Sequence, residues 1–296
     1  MGFRLKSWTR RLIILLLGAG LAIALSTAFS HSSRSFSPFR GFSLPENAIY
    51  PPLNEPQEVR LDYMAQSLPP LPPLQPHPLP PSLEKWQDPA QSGDYFDQVK
   101  PVNVGYLVWS SFPVKVFIEP LTIEETRYPF TTKRAEDWIV AVSQAVAEWN
   151  PYLPLQIITQ VEGADITLRR SPPPLRLDPA NPAQPGTGGR PTLPLGRARS
   201  AETRFELYIQ QESSGTRRLK HRFTIYLRPD QVFSYVQAAA RHELGHALGI
   251  WGHSPQETDA LYFSQVKDPP PISTRDINTL KRVYEQPTRI GWALPQ

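Results

Sequence analysis

The chain has 296 residues, a formal net charge of +4 and no cysteine. That excludes disulfides, cysteine-ligated zinc, a lipid-modified cysteine and a thiol nucleophile. The charge is mild, and 35 unevenly spread prolines take a long N-terminal stretch out of the folding part.

Residues 1–30 read as a signal peptide or membrane anchor. Arg4, Lys6, Arg10 and Arg11 precede the apolar run LIILLLGAGLAIAL, and the small residues Ser26, Ala28 and Ser30 suit cleavage. Extended to Phe29, the run approaches the shortest membrane-spanning helix, so an uncleaved membrane tether is the alternative. Either way the remainder is expected to be exported, whether secreted, periplasmic or anchored facing outside the cytoplasm. Residues 31–100 read as a Pro-rich disordered linker, because LPPLPPLQPHPLPPSLEKW favours an extended polyproline conformation. Its plain reading is a semi-rigid spacer, and its other reading is a segment that docks on aromatic grooves of partner domains. Deleting residues up to about Lys100 is therefore expected to leave the fold intact.

Residues 101–288 are expected to form one domain of mixed α/β (α+β) class. YLVWSSFPVKVFIEP, rich in β-branched and aromatic residues, predicts a strand ending at Pro120. Trp138, Ala141, Val142, Ala145, Val146 and Trp149 recur at three- and four-residue steps and predict a helix with one buried stripe. Pro151 and Pro154 stop it, and LQIITQV and ADITLRR supply further strands. Ser171 to about Arg199 reads as a surface insertion. RFELYIQ and RFTIYLRP pair around the ESSG turn, whose basic cluster Arg217, Arg218, Lys220 and Arg222 reads as a solvated flank and not a nucleic-acid site. A helix runs from about Ser234 to Gly249. Ser273 and Asp276, spaced as a capping box, start the last helix, which ends before Pro287. Residues 289–296 read as a C-terminal tail.

The chemistry concentrates in ARHELGHALGIWGHSP, Ala240–Pro255. Residues four apart share a helix face, so His242 and His246 can present two imidazole nitrogens to one ion. Glu243, turned away from the first shell, stays close to a water on that ion, an arrangement suited to zinc-assisted hydrolysis. Gly249 ends the helix, and His253 follows as the third nitrogen ligand. Asp259 is the alternative third ligand.

Together these residues resemble the metzincin pattern H-E-x-x-H-x-x-G-x-x-H. HELGHALGI…HS looks like the zinc helix of the matrixins, the matrix metalloproteinase family. AVAEWNPYLPLQI with GADITL is similar to that family's first helix and following strand, and STRDINTLKRVYEQPT resembles its C-terminal helix. DALYFS stands where the family has its methionine-containing turn. The resemblance implies a metzincin-like zinc peptidase domain: a twisted mixed sheet, a first helix, a zinc-binding helix and a C-terminal helix.

Three departures accompany it. Ile250, Trp251 and Gly252 separate Gly249 from His253, one residue more than the pattern, and Gly252 is expected to absorb the excess through positive φ. The methionine beneath the metal is missing, so Leu261 or Tyr262 must supply an apolar floor, unless Tyr262 turns inward to serve the oxyanion. Trp251 is expected to pack against the core. The family's second zinc and calcium ligands have no counterpart, His221 alone cannot form a second site, and no cysteine can block the zinc.

The sequence therefore leads to a zinc metalloendopeptidase acting on protein or peptide substrates, monomeric, with one catalytic Zn2+ held by His242, His246 and His253. Glu243 is its general base. The rival reading is a non-catalytic extracytoplasmic binding or scaffold module in which the metal is a structural clip and the Pro-rich segment recruits partners. A structural clip has no need of Glu243.

Overall fold

In a computed structural model that describes residues 70–174 and 200–295, the β-branched runs form one five-stranded sheet. Its strands are β1 (Val114–Ile118), β2 (Leu155–Ile158), β3 (Ile166–Arg169), β4 (Ala201–Gln211) and β5 (Arg217–Leu227). The order is β2-β1-β3-β5-β4. The three pairings from β2 to β5 are parallel, and β4 closes the edge as an antiparallel hairpin with β5. Four α-helices accompany it among the described residues: α1 (Pro81–Lys85), α2 (Pro129–Trp149), α3 (Phe233–Ala247) and α4 (Thr274–Tyr284). The class is mixed α/β, as the sequence predicts. None of these helices is long and apolar enough to cross a membrane; the segment read as a signal peptide or anchor (1–30), residues 31–69 of the expected linker and residues 175–199 of the expected insertion lie outside the described residues.

The α2 stripe is buried as its spacing requires, from Trp138 to Trp149. Burying each such large side chain contributes about 1.5–3 kcal/mol. α2 packs on α3, where the Trp149 indole N–H donates to Arg241 O at 2.9 Å. Gly245 of α3 leaves no room for a side chain: a Cβ there would stand 2.6 Å from Leu261 and 3.1 Å from Trp149 of α2. Ser273 and Asp276 cap α4 reciprocally, as their spacing predicts. The first strand is shorter than expected. Only Val114–Ile118 pairs, because Pro113 donates no ladder bond and the preceding Trp109 leaves the sheet to donate from Nε1 to Ala247 O at 2.9 Å, under the end of α3.

Two boundaries need correction. Residues 70–100 are not a spacer: Leu83, Tyr95 and Val99 are buried in the common core, and Leu71, Leu79 and Trp86 pack against it. The proline density hides this, because prolines suit an extended segment lying on a surface as well as one in solvent. Residues 289–295 are likewise no free tail. Gly291 and Leu294 N–H groups donate to Leu219 and Arg217 carbonyls at 2.7 and 2.8 Å, and Ile290 and Leu294 are buried. His77, expected in the linker, stacks on Trp292 and bonds Ile290 O at 2.8 Å.

Candidate metal centre

α3 presents His242 and His246 on one face, and the chain after it turns back to bring His253 beside them. The nearest ring nitrogens of the three lie within 4.8 Å of one another, the one such histidine cluster among the described residues. The orientation of the two helix rings is fixed from behind. His242 Nδ1 bonds Ala260 O at 2.9 Å, and His246 Nδ1 bonds Ile250 O at 2.7 Å. A carbonyl only accepts, so each Nδ1 carries a proton and each Nε2 is the atom left to face the cluster. The two Nε2 atoms stand 3.1 Å apart, a spacing that a shared proton or a bound cation satisfies. Tetrahedral zinc with bonds of about 2.0–2.1 Å wants its nitrogens about 3.3 Å apart, so the pair fits a small divalent ion. Burial holds His246 neutral well below its ordinary range, and burial, aided by His242, pushes His253 down to about 4, which keeps both rings available as ligands.

Glu243 is buried next to this cluster. Thr203 of β4 donates its hydroxyl to Glu243 Oε2 at 2.5 Å and also reaches Glu243 O at 3.1 Å. Burial raises the carboxyl's pKa, while nearby His242 and the Thr203 bond oppose that rise. The cleft in front of these groups has a volume of about 1470 Å³. Ala201 and Thr203 of β4, Tyr235 and Ala239 of α3, and Tyr262 and Val266 line it.

The extra residue before His253 is absorbed differently from the expectation. The left-handed backbone is at Gly249, φ +130°, not at Gly252. Trp251 N–H then bonds Gly249 O and Gly252 N–H bonds Ile250 O, both at 2.9 Å, two successive three-residue turns that take up the added length. Gly252 is required for space: a Cβ would stand 2.2 Å from Gln98 O. Trp251 packs edge-on against Phe205, as expected, and also against the His246 ring.

Asp259, the alternative ligand, is committed elsewhere. It accepts from Ser254 Oγ at 2.5 Å, Ser273 Oγ at 2.7 Å and Arg275 Nε at 3.1 Å, and is buried. Leu261 supplies the apolar floor, fully buried against Gly245, while Tyr262 stays half-exposed at the cleft wall. Thr203 was missed by sequence reasoning. A threonine in a strand 40 residues from the motif gives no local signal, and only the pairing of β4 beside α3 brings it to Glu243. No known protein family matches the chain, nor does any curated protein.

Proposed function

We propose that the chain is a zinc-dependent endopeptidase of metzincin type. The observation that carries this reading is the convergence of the His242 and His246 Nε2 atoms, 3.1 Å apart, with His253, flanked by the buried carboxyl group of Glu243. His242, His246 and His253 would hold the zinc, which when bound would supply a Lewis acid towards a carbonyl oxygen and a water. Glu243 is the proton carrier. Its burial raises its proton affinity, which suits it to take a proton from the attacking water and pass it to the leaving amine. Thr203 fixes which carboxylate oxygen stays free for that exchange.

The cleft supports a polymeric substrate. β4 has no partner on its outer edge among the described residues, and the start of that strand lines the cleft. An extended peptide laid along it exchanges backbone hydrogen bonds at an otherwise unpaired edge.

Metal analysis of the full chain, combined with a peptide-library digest, tests the reading. We expect about one zinc per wild-type chain. Glu243→Gln should keep the metal and lose at least ~100-fold in cleavage rate, whereas His253→Ala should lose both. A wild-type chain that binds zinc but cleaves nothing, with Glu243→Gln indistinguishable from it, would favour the structural-clip reading instead.

A further inference from the structure

The segment ahead of β1 reaches the metal centre by two routes. Tyr95 is buried and donates its phenol to Asp276 Oδ1 at 2.5 Å. Asp276, fully buried at the start of α4, also takes Leu261 N–H on Oδ1 at 3.4 Å, and Ala260 N–H and Ser273 N–H on Oδ2 at 2.9 and 2.7 Å. The Leu261 N–H belongs to the same peptide group as the Ala260 carbonyl, which receives His242 Nδ1. An unbroken chain of contacts therefore runs from the Tyr95 hydroxyl through one carboxylate and one peptide to a ring of the cluster. The second route backs His253: Gln98 O occupies the space beside Gly252, and Lys100 N–H donates to Trp251 O at 3.2 Å.

We infer that Tyr95 is a positioning residue for the metal centre, acting on His242 through Asp276 and the Ala260–Leu261 peptide. The inference rests on the metal-centre reading above. A carboxylate offers about four acceptor positions, and the four donors named here fill those of Asp276. Without the phenol, one position is left empty in a place that water does not reach. The carboxylate then rotates or draws its remaining donors in, and the peptide it holds moves with it. Groups behind a metal-bound histidine fix its ring and its tautomer, and their loss typically costs 10–100-fold in metal affinity. Tyr95 is held firmly enough to serve this way. Its N–H donates to Thr279 Oγ1 at 3.0 Å, and Arg275 of α4 binds Ser92 O and Asp94 O on either side of the approach.

The test compares the full chain as wild type, Tyr95→Phe and Arg282→Ala. Zinc affinity is read by chelator competition, the cobalt(II) visible spectrum reports ligand geometry, and thermal unfolding without metal reports the fold. Tyr95→Phe keeps the ring and its packing. We expect it to bind zinc about tenfold more weakly and to shift the cobalt bands. Arg282→Ala breaks the exposed pair with Asp94 and loosens the same segment without touching Asp276, so it should retain both wild-type values. Tyr95→Phe with unchanged affinity and spectrum overturns the inference, and so does an equal loss in Arg282→Ala, which would mean the segment acts only through general stability. Should Tyr95→Phe not fold, 3-fluorotyrosine at position 95 keeps the packing and strengthens the donor. Its cobalt spectrum should shift, and an unchanged one overturns the inference. A wild-type chain that binds neither metal removes the metal-centre reading itself.

Discussion

His221 lies at the centre of β5, 1% exposed, its ring stacked on Trp109 with centroids 4.0 Å apart. Neither ring nitrogen has a hydrogen-bond partner, so the site accepts only the neutral form. Burial, with a smaller contribution from Lys220, pushes its pKa down to about 3, below the ordinary 6.5. Between those values the unfolded chain binds a proton that the folded chain refuses. Stability from this residue is therefore full above pH 6.5 and lost as pH falls towards 3, by on the order of 4–5 kcal/mol over the window. Buried Glu243 and Asp276 and the partly exposed Asp165 have raised pKa values and act with the opposite sign, so the comparison must be between variants. Denaturant unfolding across that window should show a shallower acid loss in His221→Leu than in wild type, and equal slopes would refute the account. The residues that the motif places on one helix face, His242 and His246, were legible in the sequence because four-residue spacing is a local geometric fact, and Glu243 was legible as the residue that follows the first of them. Thr203, Asp276 and Tyr95 were not, since each acts across the fold and carries no signal in its own neighbourhood.

At the scale of elements, periodicity made α2, α3, α4 and the β4–β5 hairpin readable: each has an apolar stripe, a cap or a turn that fixes its span. The short α1 escaped, being five residues inside a proline-rich tract with only Leu83 fully buried. The turn between α3 and His253 was read correctly in place and wrongly in cause. Its two glycines do different work, and this gives a prediction. Gly249→Ala meets a backbone at φ +130°, with the nearest atom 3.2 Å from the new Cβ, so its penalty is mainly conformational, about 1–3 kcal/mol. Gly252→Ala drives a Cβ to 2.2 Å from Gln98 O, which is backbone and cannot rotate away, so the turn or the 98–99 segment must move. Because His253 follows directly, we expect Gly252→Ala to lose zinc affinity out of proportion to its fall in Tm. Gly249→Ala should lose mainly Tm. Titration of zinc beside thermal unfolding separates the two, and the opposite ranking would show that the turn is set at Gly249 alone.

For the molecule as a whole, the question is where the folding unit begins. Composition places its start near residue 101, because proline-rich stretches rarely supply a core. The packing places it earlier. Leu83, Tyr95 and Val99 are buried, Trp86 Nε1 donates to Asn278 Oδ1 at 2.9 Å, and Asn278 in turn donates to Asp88 Oδ2 and Gly93 O at 2.8 Å. Gln75 and Thr288 exchange backbone hydrogen bonds at 3.0 and 3.1 Å, tying this segment to the one that follows α4. Removing residues up to Lys100 would therefore uncover the apolar faces of α4 and the α3 turn, and would leave Asp276 short of a donor. Burial of Leu83, Tyr95 and Val99 alone is worth roughly 1.5–3 kcal/mol each, against a total stability of about 5–15 kcal/mol for a typical domain. A chain beginning at Val102 should consequently be insoluble, or should melt more than about 10 °C below the full chain. Thermal unfolding of the two, both without metal, decides the matter. An unchanged Tm would mean that residues 70–100 lie on the domain without supporting it, and would remove the ground for their bracing of the metal centre.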